Sequence, residues 1–249
     1  MILKEDLKQY SKIIGFNLGQ TETDYLQHLF LLLMSRHLYG ELVFKGGTAL
    51  QKAYGLNRFS VDLDFTQVKE WNSKQAVEKI VSGIAGFGYE ANIKEIKTIG
   101  KTFVIRINGP LYKESPISAS NIRIEISERE NVLLNPVIKT ITPIYSDLQP
   151  YSILVMGLDE VLAEKVRAIM TRNKSKDVFD LHFLLKKGVK FNSDLINKKL
   201  AYYKQVYDEG NFIKRLKGIK PLWVTEMRNY VLNAPEFDGI LKNIVEAIR

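Results

Sequence analysis

Cysteine is absent from all 249 residues. That excludes disulfide frameworks, zinc–thiolate sites, iron–sulfur clusters and thiol catalysis together, and it fits a reducing compartment. Histidine is scarce: three residues, His28, His37 and His182, are too few for a multi-histidine metal centre. Long apolar runs are missing too. The longest, Leu29 to Met34, is far short of the roughly 20 residues a membrane span needs. The first twelve residues, MILKEDLKQYSK, are charged from the fourth onward and contain no apolar h-region. No secretory signal is therefore expected, and the protein is expected in the cytoplasm, away from membranes. Acidic residues are the minority, 28 against 36 basic, for a net charge of +8. That balance favours a polyanionic partner such as nucleotide or RNA.

What is present fits a folded protein. Apolar residues make up 45% and charged residues 26%, which excludes wholesale disorder. The length predicts one large domain or two small ones. No internal repeat or low-complexity tract interrupts it. Three stretches differ in pattern. Residues 1–40 read as helical, with a helix start at Thr21-Glu-Thr-Asp24 and an all-round apolar continuation that predicts burial between two layers. Residues 41–156 read mainly as strands, the clearest at 41–44, 60–65, 89–96, 102–108 and 121–127, with helices at 47–55 and 73–86. A loop is predicted over 109–120 from its prolines, glycine and serines. Residues 157–249 read as all-helical, with helices at 158–171, 175–187, 193–206, 211–217, 221–232 and 236–248. An α+β core with helices segregated at both ends is the simplest architecture.

The densest chemical signal runs from Phe44 to Phe65. A strand leads into Gly46-Gly47-Thr48, a helix follows, and a second strand, Ser60-Val-Asp-Leu-Asp-Phe65, carries two aspartates. Paired glycines let the backbone turn tightly and approach a ligand. The helix behind them aims free N–H groups and the positive end of its dipole at an anion, and Thr48 adds a hydroxyl. Strand alternation puts Val61, Leu63 and Phe65 on a core face, with Ser60, Asp62 and Asp64 on the other. Two like charges on one strand face call for a compensating cation, and magnesium, which takes oxygen ligands and substrate phosphates, suits the pair. A solvated polar face is the competing reading. Further on, Asn121-Ile-Arg-Ile-Glu-Ile-Ser127 alternates cleanly and turns Glu125 outward. Paired beside the first strand, Glu125 would complete a three-carboxylate cluster suited to two-metal phosphoryl chemistry.

A second block begins at Leu158. Leu158, Val161, Leu162, Val166 and Ile169 form a buried helix stripe, and Lys165 lies within it. An inward lysine is costly unless paired or at a cleft wall, the alternative being a side chain that snorkels to the edge. Arg172 lies seven residues on, along the same face. Asp177 and Asp180 share one side of the next helix, where Asp177 also suits the helix dipole.

The glycine turn, the paired aspartates and the later acidic strand together resemble the DNA polymerase beta-type nucleotidyltransferase fold. The fuller string Lys45-Gly-Gly-Thr-Ala-Leu, then Lys52, then Arg58-Phe-Ser-Val-Asp-Leu-Asp-Phe65, is similar to the AbiEii/AbiGii branch, the toxin nucleotidyltransferases of toxin–antitoxin and phage-defence systems. The resemblance spans residues 44–65 and 158–181. It implies a mixed-sheet nucleotidyltransferase core followed by a helical domain, and an enzyme that moves an NMP from an NTP to an acceptor hydroxyl. Asp62, Asp64 and Glu125 would hold two magnesium ions, or manganese, and act as catalytic residues with Lys165 and Asp177. Gly46, Gly47, Thr48, Lys52, Arg58, Ser60, Arg172 and Asp180 would bind the nucleotide. Lys176 stands where many members have arginine. The resemblance also implies an RNA acceptor, tRNA first among candidates, and a cognate antitoxin encoded nearby. Two other readings stay open: the same chemistry on a protein or small-molecule hydroxyl, and an inactive nucleic-acid-binding or partner-binding module of the same fold.

Overall fold

The structure, a computed structural model, describes every residue except Tyr39, Ile99 and Arg249, and the backbone alone of 95–98 and Gly100. The chain divides into two compact units. The first comprises 1–55, 59–132 and 136–155, and the second 56–58, 133–135 and 156–249.

In the first unit, helices α1 (Lys4–Ile14) and α2 (Leu18–His37) precede a seven-stranded mixed sheet. Its strands are β1 (Leu42–Lys45), β2 (Leu63–Gln67), β3 (Ala91–Thr98), β4 (Gly100–Ile107), β5 (Ser120–Ser127), β6 (Val137–Ile141) and β7 (Tyr151–Val155). They lie in the order β3-β4-β5-β2-β1-β7-β6. Helices α3 (Gly46–Tyr54) and α4 (Ser73–Ile84) fall between strands. The neighbours β2 and β5 are parallel, as are β1 and β7, and the other pairs are antiparallel. Helix α2 begins at Leu18, earlier than the Thr21 start read from sequence. The Asn17 side chain accepts the Gln20 N–H, and the Gln20 side chain returns to the Asn17 N–H, a reciprocal cap that outcompetes the later one. From Asp24 to Met34 every α2 residue is buried, as its all-round apolar pattern requires, and it packs on α4, β5 and β7.

The alternation in β5 is as expected: Ile122, Ile124 and Ile126 are at most 2% exposed. On β2 the expectation holds only from Leu63 onward. Val61 is 42% exposed and Ser60 is buried, the reverse of their predicted faces. The reason is local. Gln27 donates to the carbonyls of Ser60 and Val61, and Thr48 donates to the carbonyl of Asp62. These bonds hold residues 60–62 out of the ladder.

The second unit contains α5 (Leu158–Thr171), α6 (Ser175–Lys186), α7 (Ser193–Ala201), α8 (Glu209–Met227) and α9 (Phe237–Ala247). The two helices predicted at 211–217 and 221–232 are one, running through Pro221. Proline removes one backbone bond, to the carbonyl four residues earlier. Here Lys217 and Pro221 are both exposed, so the carbonyl left without its helix partner lies on the solvent side. The buried stripe Phe212, Leu216, Ile219, Trp223 and Met227 meanwhile continues without a break. No described helix is long and apolar enough to cross a membrane.

Candidate active site

Strand β1 passes directly into α3 at Gly46. Gly46 has φ of 77°, and a Cβ there would collide with the Asp64 carboxylate. Only glycine meets both conditions. The first N–H groups of α3 are consequently presented beside a carboxylate-bearing strand, where the helix favours an anion. Thr48 is fully buried. Its hydroxyl bonds the Asp62 carbonyl and lies 2.8 Å from the Ser60 hydroxyl, so both hydroxyls expected at the nucleotide instead tie α3 to the segment that carries Asp62.

Asp64 sits in register between two charged neighbours: Lys45 on antiparallel β1 and Glu125 on parallel β5. Paired positions share a face. The opposite face is fixed by Phe44 and Phe65, both fully buried with ring centroids 5.1 Å apart. Asp64 and Glu125 therefore stand side by side on the non-core face of adjacent strands, about 5 Å apart at the backbone. Asp62 lies just before β2, half-buried. Glu125 accepts from Arg123 Nε at 2.6 Å, with both side chains nearly half-exposed, a pair worth at most about 1 kcal/mol. Among the described residues no three histidine, aspartate or glutamate side chains are grouped so that they could hold a metal ion, so the three-carboxylate cluster expected of Asp62, Asp64 and Glu125 reduces to the register pair Asp64 and Glu125. Two carboxylates on adjacent strands still fit magnesium, which binds through one or two carboxylates and takes its remaining ligands from water and phosphate.

The helical unit gathers the remaining predicted residues. Lys165 Nζ lies 3.0 Å from Asp177 and 2.7 Å from Asp180. Arg58 grips Asp180 through Nε at 2.6 Å and Nη2 at 2.7 Å. Arg172 meets Asp177 through Nε at 2.8 Å and Nη2 at 3.1 Å. Arg58, Lys165, Asp177 and Asp180 are all buried, while Arg172 is half-exposed. Burial opposes the charged form of both aspartates, yet the cations outweigh it: Lys165 and Arg172 hold Asp177 below its ordinary value, and Arg58 and Lys165 do the same for Asp180. Burial likewise opposes charge on Lys165, and the two aspartates override it and raise its pKa. Lys176 stands 5.9 Å over the Tyr230 ring, which Arg58 also approaches at 5.7 Å.

Lys52 is placed elsewhere. Its Nζ is 2.9 Å from Asp24 and its side chain is 1% exposed. It belongs to a buried network in which Gln51 and Tyr145 also donate to Asp24, and His28 bonds Tyr151 at 2.8 Å. Burial lowers the His28 pKa to about 3, with Lys52 adding to the effect. The signal for this network was available: Asp24 and His28, at i and i+4 within an apolar helix, needed partners. A second group absent from the sequence reading joins Lys199 to Glu160 at 2.6 Å and to Glu164 at 3.2 Å. There Glu160 also accepts the N–H groups of Leu133 and Leu134.

A family model described as nucleotidyl transferase AbiEii toxin, type IV TA system, matches residues 31–243. Among solved structures the chain is similar to MenT4, a nucleotidyltransferase toxin from Mycobacterium tuberculosis H37Rv, at 16% identity and a TM-score of 0.73, over 100% of this chain and 89% of that one. It is also similar to JHP933 from Helicobacter pylori, at 22% identity and a TM-score of 0.62, covering 92% of this chain and 90% of that one. A third, described as a putative nucleotidyltransferase from H. pylori, is 23% identical with a TM-score of 0.59, covering 90% and 92%. At these identities the likeness speaks to the fold alone. Among curated proteins none matches in sequence.

Proposed function

The chain belongs to the AbiEii family of nucleotidyltransferase toxins of type IV toxin–antitoxin systems, and we propose that it moves a nucleoside monophosphate from an NTP to a hydroxyl of RNA. An antitoxin partner goes with such a system. The observation that carries the reading is the register of Asp64 against Glu125, beside a glycine turn that opens a helix. In this reading Asp64 and Glu125, with Asp62 just before them on the chain, would hold divalent magnesium, which would supply positive charge to the transferring phosphate. The N–H groups of Gly46 and Gly47 receive phosphate oxygens. Glu125, steadied by Arg123, accepts the proton of the acceptor hydroxyl. The acceptor oxygen bonds the α-phosphorus, the bond to the bridging oxygen breaks, and pyrophosphate leaves. Lys165 and Asp177 are assigned catalytic roles by resemblance, with Arg172 and Asp180 assigned to the nucleotide.

RNA as acceptor, tRNA included, is supported by where the charge lies. The helical unit carries 19 basic and 12 acidic residues, a net of +7, and the sheet unit 17 and 16, a net of +1. A concentrated positive charge favours a polyanion. The test is incubation with each labelled NTP, magnesium and total RNA. Label is expected on RNA with the wild-type chain, and on nothing with Asp64→Ala. Label on protein instead, or transfer surviving in Asp64→Ala, would sink this reading.

A further inference from the structure

The residue opposite Asp64 on its other side is a lysine with no role in the reading so far. Lys45 ends β1 in direct register with Asp64, which places their Cβ atoms about 5 Å apart on one face. The row across the sheet is thus Lys45, Asp64, Glu125, cation first and then two acids. Lys45 is 7% exposed, and its Nζ lies 3.2 Å from Glu130, itself 3% exposed. A buried ion pair is seldom retained for stability, since apolar residues of similar size do as well. Its location supplies a different reason. Lys45 immediately precedes Gly46, which lies so close to the Asp64 carboxylate that a Cβ would collide with it, so the Lys45 backbone, Asp64 and the glycine turn are held together.

We propose that Lys45 is a positioning residue of the carboxylate row: a resident counter-cation that offsets the Asp64–Glu125 repulsion and weakens the row's hold on a divalent ion, with Glu130 attenuating its charge. This rests on the metal-binding reading above. A fixed positive charge beside a cation site opposes metal entry, whereas a negative charge that neutralises it assists. The two members of the buried pair therefore act on metal affinity in opposite directions. A row with a built-in cation would keep its carboxylates together without a bound metal and would hold a divalent ion less tightly than the carboxylates alone.

The test is Mn2+ binding in the absence of nucleotide, followed by electron paramagnetic resonance, on chains whose folding is checked by circular dichroism. Lys45→Met is expected to bind Mn2+ about fivefold more tightly and Glu130→Gln about threefold more weakly, with Lys45→Arg near wild type. If Lys45→Met does not fold, Lys45→Gln, which removes the charge but keeps a polar partner for Glu130, takes its place with the same expected tightening. A purely structural pair would loosen the site in both variants and weaken binding in both. Shifts of the same sign, reversed shifts or no shift overturn the proposal. A wild-type chain that binds no Mn2+ overturns the metal reading and this proposal with it, whereas normal wild-type binding with an unresponsive Lys45→Met overturns this proposal alone.

Discussion

Asp64 and Glu125 stand partly exposed on neighbouring strands, while Asp177 and Asp180 are fully buried in the helical unit. Each of the buried pair is met by two cations, Asp177 by Lys165 and Arg172, and Asp180 by Lys165 and Arg58. The strand pair has each other as register neighbours, with a half-exposed arginine on one side and a lysine shared with Glu130 on the other. The same residue types thus serve two arrangements. In the helices two buried carboxylates are met by three cations of the same chain, two of them buried as well, and removing one member strands the rest. On the sheet, two acids occupy register positions on adjacent strands and are partly exposed. The stability response to substitution is the way to tell such arrangements apart.

The largest contrast is expected at Arg58. Arg58→Met leaves Asp180 buried with half its cationic partners, and unfolding free energy should fall by about 3–5 kcal/mol in urea titrations. A loss below about 1 kcal/mol would mean that the cluster is less closed than its geometry implies. The same cluster sets a pH limit. Because both aspartates have folded pKa values below the ordinary 3.8, their contribution is complete above that value and drains away as pH drops below about 4. Acid titration of helical circular dichroism should show the loss there, and Asp180→Asn should blunt it.

Lys165 sharpens the contrast from the catalytic side. If it serves phosphate charge as well as the cluster, Lys165→Ala should lose about 2–4 kcal/mol of transition-state stabilisation in kcat/KM per folded molecule. Lys186→Ala, altering an exposed lysine at the end of α6, should lose almost none. Equal kinetics for the two, with Lys165→Ala merely less stable, would make Lys165 scaffold only. The smallest effect on stability belongs to Asp64. Asp64→Asn should change unfolding free energy by under about 1 kcal/mol while abolishing transfer, and a collapse of the fold would place Asp64 with the buried cluster instead.

Much of this was legible in the sequence, and the exceptions have physical causes. The isoleucine alternation of 121–127 gave the outward face of Glu125, because strand period is geometric. Which strand lay beside it was a matter of long-range pairing that no local pattern carries. Lys165 read as inward correctly, but its partners sit a turn and a helix away. Strands β6 and β7 were not picked out within the strand-rich region. In β6, Val137 and Ile138 are 39% and 74% exposed, as an edge strand permits, so its apolar residues do not sort by face. Lys52 was drawn toward the nucleotide by its place in a motif, whereas the buried Asp24 on α2 claims it. Val61 was misplaced because hydrogen bonds from Gln27 and Thr48, remote in sequence, override the alternation.

The parallel pairing of β2 with β5 also sets when the proposed site can be assembled. Asp64 and Glu125 are roughly sixty residues apart in sequence, and closing so long a loop is among the slower events in folding. A ribosome that has released β2 has made half the carboxylate pair. The other half arrives only after β3, β4 and the 109–119 loop have emerged and β5 has docked between β4 and β2. Newly made chains therefore pass through a long interval in which the glycine turn exists without its second acid. In the reading proposed above, the carboxylate pair is therefore complete only after β5 has been made.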